Sequence, residues 1–439
     1  MKRIFVFSFL ILLGHATFSN TIDNQDSKSG SKQNVKKQAM APLKQTSKDD
    51  NSSDLLKPVP VAKTAKPKIY VHMMPWFETR ETNTQPEHYG EWGIHYTMSN
   101  KNPDKIIDSV TGRREVAMYY YPLTGPYASG DKVIIEYQLL LMKLSGIDGV
   151  FIDWAPIINT NDYPLMVRNT EKIVEQLEKA GLQFAIVYED QDINVALKNK
   201  VIDNKIEAAQ KDMDYLNTNY FARANYVKYN DKPLLLTFGP QTFESDTEWT
   251  QIFSKLGNNK PAFFTLWYES KDAGKNATGE FAWVWQKNLE DLDKFYNNHP
   301  INGAKIASAY PGFKAFYADG GWGNIPWTIP HKGDTTFSET LKMALDSKLD
   351  IIQLVTWNDY GEGTMIEPTV EFGYSFLTTL QKTLGVTYNQ SDLEMVYKLY
   401  TYRRKYASSE ETQKKLDQVF SYIVSLELDK ARSLLESIK

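Results

Sequence analysis

The stretch GIDGVFIDW, Gly146–Trp154, is a glycine-led apolar run that closes on a carboxylate and an indole. Its hydrophobicity is nearly continuous rather than alternating, the pattern of a strand covered on both faces. Upstream, Val133, Ile134, Tyr137, Leu141 and Leu144 share one helical stripe, and Gly146 stands where that helix would stop. The unit recurs. Similar short β-rich runs occupy Lys68–Met74, Phe184–Asp190, Lys232–Gly239, Pro261–Glu269, Phe281–Trp285, Ala304–Tyr310 and Asp350–Trp357. Ile173, Val174, Leu177 and Ala180 form a stripe before Gly181, and Trp249, Ile252, Phe253 and Leu256 another before Gly257. Leu341, Ala344 and Leu345 do the same ahead of the last run. Eight strands with intervening helices predict an α/β fold, a (β/α)8 TIM barrel. An open doubly wound sheet competes, but no glycine-rich phosphate loop comes after any strand.

The boundaries rest on the same pattern. Residues 1–19 read as a signal peptide: Lys2 and Arg3, an apolar run over Ile4–Leu13, then Gly14, Ala16 and Ser19 for cleavage. That run is too short to span a bilayer. The segment 20–67 holds almost nothing apolar to bury and predicts a disordered linker. The catalytic barrel is expected over 68–390. After it, 391–439 reads as two amphipathic helices, Ser391–Ser408 and Glu410–Ile438, a hairpin packed on the barrel. The expected location is therefore periplasmic or secreted, with no membrane span after signal removal, and a monomer is expected.

Composition narrows the chemistry. There is no cysteine, which excludes disulfides, thiolate catalysis and lipid attachment at a cysteine. A formal charge of −4 leaves no electrostatic footprint for nucleic acid. His72, His88, His95, His299 and His331 show no metal-ligand spacing, so neither metal nor cofactor is expected. No Gly-x-Ser-x-Gly elbow supports a serine hydrolase.

The residues at the strand ends are more telling. His72 and Trp76 come after the first, Asp153-Trp154 closes the second, and Tyr188-Glu189-Asp190 the third. Trp267 stands at the end of the fifth, Trp285-Gln286 of the sixth, Tyr310 of the seventh, and Trp357-Asn358-Asp359 of the eighth, with Glu362 close behind. In a parallel barrel these ends share one face, where the loops build the active site. Any one carboxylate there is more often a helix cap, and any one Trp more often core; the repetition is what points to a cleft. Aromatic faces match the C–H patches of pyranose rings while Asp, Asn and Glu take hydroxyls. Cleaving a glycosidic bond needs two carboxyl groups. Asp359 and Glu362, three residues apart on a glycine-rich loop, are the candidates.

Several segments then resemble glycoside hydrolase families 71 and 99: YYYPLTGPYASGD (Tyr119–Asp131), EYQLLLMKLSGIDGVFIDW (Glu136–Trp154), YPGF (Tyr310–Phe313) and WNDYGEGTMIEP (Trp357–Pro368). The resemblance spans most of Lys68–Leu384. It implies a barrel enzyme acting on an α-linked oligo- or polysaccharide, with Asp359 and Glu362 as the catalytic pair and Tyr127 in the cleft. Family 99 carries Glu-Trp-His-Glu where this chain reads Asp359-Tyr360-Gly361-Glu362, as family 71 does, whereas Tyr121–Tyr127 is more like family 99. Both α-mannan and α-glucan therefore stay open. Asp in place of Glu withdraws the carboxylate by about 1.5 Å, one bond length. That makes room for a water and favours inversion, which goes with carboxyls roughly 6.5–9.5 Å apart. The residues alone also allow a non-catalytic glycan-binding protein on the same barrel.

Overall fold

The computed structural model describes residues 56–84, 89–298 and 303–438. Both the signal peptide and the linker as far as residue 55 lie outside the described residues. Eight parallel strands form the centre: β1 (Lys68–Met73), β2 (Gly149–Trp154), β3 (Gln183–Tyr188), β4 (Lys232–Thr237), β5 (Ala262–Leu266), β6 (Ala277–Phe281), β7 (Ala304–Ala309) and β8 (Ile351–Leu354). Each pairs with its neighbours in chain order, and β8 closes on β1. The sheet is a closed (β/α)8 barrel. The main helices around it are α1 (Lys132–Leu144), α2 (Tyr163–Ala180), α3 (Lys205–Leu216), α4 (Asp246–Phe253), α5 (Ser270–Ala273), α6 (Leu289–Asp293), α7 (Thr335–Asp346) and α8 (Ser375–Leu384).

Strand alternation sorts side chains into a lumen layer and a helix layer. Phe263 of β5 packs on Trp249 and Phe253 of α4, which fixes the outward parity. Propagated through the register, that parity turns Trp154 and Tyr188 towards the helices and His72 and Asp153 towards the lumen. Two glycines serve the strand contacts. A Cβ on Gly149 would stand 2.1 Å from the Gln183 carbonyl oxygen, and one on Gly279 2.2 Å from that of Ala304.

The sixth strand lies earlier than its sequence suggests. It is Ala277–Phe281, not Phe281–Trp285. Its Thr-Gly-Glu centre looks polar, but Gly279 makes the close approach to β7 and the buried Glu280 accepts the Tyr268 and Ser270 N–H groups at 2.8 and 3.0 Å. The apolar run after it is the loop that enters the cleft.

Two further departures concern the ends of the folded body. Leu56–Pro67, read as linker, is a strap. Val59 donates to the Val424 carbonyl at 2.9 Å, and Thr64 and Ala65 both donate to that of Leu384. Lys63 pairs with Asp148, and the buried Lys143 ammonium donates to the Val59 carbonyl at 2.7 Å. Backbone bonds and lysines hold this strap, so its composition hides it. The C-terminal segment forms three helices rather than two: α9 (Gln390–Lys405), α10 (Glu410–Val424) and α11 (Leu428–Ser437). Leu426 takes a left-handed φ of 65° and breaks the second. The α9 helix packs on α1, with Arg403 gripping both oxygens of Glu136 and Arg404 paired to Asp131, the N-cap of α1.

Candidate active site

The loop after β8 is built to present two carboxyls. Asn358 is fully buried and ties this loop to the end of β1: its Oδ1 accepts the Met74 N–H at 2.8 Å and its Nδ2 donates to the Met74 carbonyl at 3.0 Å. Trp357, also fully buried, donates its N–H to the His72 carbonyl. The Asp359 N–H meets the Thr356 hydroxyl, and the Asp359 carboxylate accepts the Glu362 N–H at 2.9 Å. The turn therefore holds both acids in one geometry. Below it lies Glu367, 2% exposed, which accepts from the hydroxyls of Tyr127 and Tyr360, both at 2.8 Å, and from the Gln138 amide at 2.7 Å. Asn358 also donates to the Tyr127 hydroxyl, which joins this network to the loop above.

Burial separates the two acids in strength. Glu362 is half-buried beside Asp359, and burial plus that neighbouring charge hold its carboxyl well above the ordinary range. The Tyr317 hydroxyl, donating to Glu362 Oε1 at 3.4 Å, works the other way. Asp359 is raised less, to about 6. Burial pushes it up, while the Glu362 N–H and the nearby His95 and His72 favour its charged form. Burial and the Asp359 charge thus favour the protonated form of Glu362, while the Glu362 N–H and the two histidines favour the ionised form of Asp359, the direction of division that acid–base catalysis requires.

A second acidic group faces them. Asp153 lies 3.8 Å from His72 Nε2 and acts electrostatically on Asp359. Glu189 and Asp192 are both held well above the ordinary range, Glu189 by burial and by Asp153, Asp192 by burial with Asp153 and Asp162. Trp76 stacks flat on His95 at 4.0 Å, and His95 Nε2 stands 3.3 Å from Asp162. Trp283 sets its edge against His72. Among the described residues no group of three or more His, Asp or Glu is placed to hold a metal ion.

The sequence-derived site thus divides. His72, Trp76, Asp153, Glu189, Asp359 and Glu362 gather at the C-terminal mouth of the barrel. Tyr127, Asn358 and Trp357 sit buried behind the loop, where Tyr127 and Asn358 brace it. Four candidates belong elsewhere. Trp154 lies flat near Tyr215 and is fully buried, and the Tyr188 hydroxyl donates to Asp212 of α3 at 2.8 Å. Trp267 packs edge-on against Phe295, while Tyr310 is fully buried with its backbone bracketed by Thr340 of α7. Trp154, Tyr188 and Trp267 end or adjoin a strand at an outward position, a parity that adjacency to a strand end does not report, whereas Tyr310 follows β7 at lumen parity and is closed off where its main chain meets α7. Conversely His95, Asp162, Asp192 and Tyr317 enter the site from within loops and helix starts. No strand-end signal marks them.

Comparison with known proteins agrees with this architecture. The profile of Glycosyl hydrolase family 71 matches residues 189–377, which include Glu189, Asp359 and Glu362. A glycoprotein endo-alpha-1,2-mannosidase-like protein of Danio rerio is 20% identical, the match covering 69% of this chain and 71% of that one. The GH99 endo-alpha-mannosidase of Bacteroides thetaiotaomicron, solved with bis-tris-propane, superposes with a TM-score of 0.53 at 18% identity. It covers 72% of this chain and 95% of its own. A glycoside hydrolase-like protein superposes at 0.52 with 11% identity, over 75% of this chain and 97% of its own.

Proposed function

We propose that this chain acts as a glycoside hydrolase of the family 71/99 type, as its family 71 match over 189–377 and its endo-alpha-1,2-mannosidase-like relative support, and that it is an exported, endo-acting enzyme that cleaves an α-linked mannan or glucan, with Glu362 as general acid and Asp359 as base. The observation that carries the reading is the pair of acids fixed on one turn by the Glu362 N–H on the Asp359 carboxylate, with burial and the Asp359 charge raising the Glu362 carboxyl well above the ordinary range and Asp359 at about 6. Glu362 donates its proton to the glycosidic oxygen as the bond to C1 lengthens. Asp359 takes a proton from the water that attacks C1 from the opposite face, so the anomeric configuration inverts. The short Asp side chain supports the water-mediated course. It is 3% exposed, and its carboxylate accepts the Glu362 N–H at 2.9 Å. His72, Asp153 and Glu189 surround the reacting sugar with donors and acceptors for its hydroxyls, and Trp76 offers a stacking face. Export rests on the N-terminal signal pattern over 1–19. Proton NMR of the first product from an α-1,3-glucan or α-mannan oligosaccharide tests the mechanism. A β-anomer is expected at the outset, and an initial α-anomer would overturn the inverting assignment.

A further inference from the structure

The ten Trp residues divide by exposure. Trp154, Trp249 and Trp357 are fully buried, and Trp267 and Trp283 keep 7%. Those that are partly exposed, Trp76, Trp92, Trp285, Trp322 and Trp327, all lie on loops after barrel strands, on the C-terminal side. Trp322 belongs with the reacting carboxyls, stacked over Tyr317 and edge-on to His95. The Trp285–Trp327 pair does not. The two rings sit 5.8 Å apart at 59°, and Trp327 is backed by the buried Phe313, stacked at 4.2 Å.

This pair is continuous with the cleft from two directions. Phe313 precedes Lys314, whose N–H donates to the Glu362 carbonyl at 2.8 Å. Trp285 comes two residues after Trp283, which touches His72 on the cleft floor. Barrel order sets the side: β8 stands between β1 and β7, so the carboxyl loop has the Trp76–His95 stack on one flank and the loops of β6 and β7 on the other. Polar side chains flank the partly exposed rings, Gln286 after Trp285 and Thr328 after Trp327, both exposed. Aromatic faces bordered by hydrogen-bonding groups fit a pyranose, apolar on its C–H face and polar at its rim.

We propose that Trp285 and Trp327 form a separate sugar-stacking subsite on the β6–β7 side of the carboxyl loop, which holds a hexose unit of a long α-linked chain away from the bond being cut. The proposal rests on the glycan-cleaving reading and gives it a structural basis for endo action, since the chain is gripped on both flanks of Glu362. The test is the ratio of kcat/KM on long to short oligosaccharides, measured with α-1,3-gluco- and α-manno-oligosaccharide ladders for the wild type, Trp285→Ala and Trp327→Ala. Partial unfolding scales both rates alike and leaves the ratio untouched. The ratio is expected to fall roughly two- to tenfold in each variant, the worth of one aromatic contact, and Trp327→Phe should restore most of it. Cleavage by the wild type with an unchanged ratio in both Ala variants overturns the subsite alone. Failure of the wild type to bind or cleave any ladder overturns the functional reading and the subsite with it.

Discussion

Glu367→Gln isolates what the buried network beneath the carboxyl loop costs and contributes. Glu367 is 2% exposed, and burial raises its carboxyl to about 7 from an ordinary 4.5, even with donors from Gln138, Tyr127 and Tyr360 favouring the charge. A carboxyl raised on folding stabilises the fold below its unfolded pKa, and that contribution is lost as pH rises through the folded value. The difference of about 2.5 units, at 1.36 kcal/mol each, amounts to roughly 3 kcal/mol. The amide does not titrate, so this loss is absent from the variant. The assay is urea unfolding of both proteins at steps between about pH 4.5 and 7.5. Wild-type stability relative to the variant should fall by about 3 kcal/mol across that window. A pH-independent difference would refute the reasoning and show that Glu367 has the same affinity for protons folded and unfolded. Glu367→Ala is a harsher change, because it strands three buried donors at about 1–3 kcal/mol each. It should disable the protein rather than tune it.

Other perturbations address other links. The pH profile of kcat/KM should rise through about 6 as Asp359 ionises and fall only at higher pH as Glu362 deprotonates; an acid limb near 4 would remove Asp359 as the base. Tyr317→Phe deletes the hydroxyl that favours ionised Glu362, so the alkaline limb should move upward, and a downward shift would contradict the contact. A chain beginning after Lys66 loses the Val59 and Thr64 bonds and leaves Lys143 short of one acceptor. Relative to a chain beginning at Leu56 it should lose about 2–4 kcal/mol in urea unfolding at roughly 1 kcal/mol per bond, and equal stability would make the strap passive. Gly279→Ala places a methyl 2.2 Å from the Ala304 carbonyl oxygen, against backbone that cannot yield. It should cost more than about 3 kcal/mol or prevent folding, and a near-normal melting temperature would dispute the β6–β7 packing.

Legibility in the sequence tracked the physics that each feature depends on. The barrel was readable because buried parallel strands must be apolar throughout, and helix stripes with terminal glycines punctuate them. The strand β6 escaped because its centre serves a close backbone approach and a buried cap rather than hydrophobic burial. The carboxyl pair was readable from its motif, and His72, Asp153 and Glu189 from their position at strand ends. Trp154, Tyr188 and Trp267 shared that position, but their outward parity depends on register, which only the paired strands reveal; Tyr310 shared it too, at lumen parity, and is buried where its main chain meets Thr340 of α7. His95 and Asp162 come together through the long β1 and β2 loops. Nothing local in either stretch announces the meeting. The strap at Leu56–Pro67 was hidden for a related reason: its partners, Val424 and Leu384, lie more than three hundred residues away.

The most direct test of the central claim is release of reducing ends from a panel of α-mannans and α-glucans, run with the wild type, Glu362→Gln and Asp359→Asn, with binding of each polysaccharide measured alongside. The wild type should release oligosaccharides from at least one α-linked polymer, and both variants should bind that polymer while losing cleavage by roughly a hundredfold or more, in line with the loss of a general acid or base. Binding across the panel without release by the wild type would make this a glycan-binding protein, and near-normal cleavage by Glu362→Gln would take the proposed acid out of the reaction.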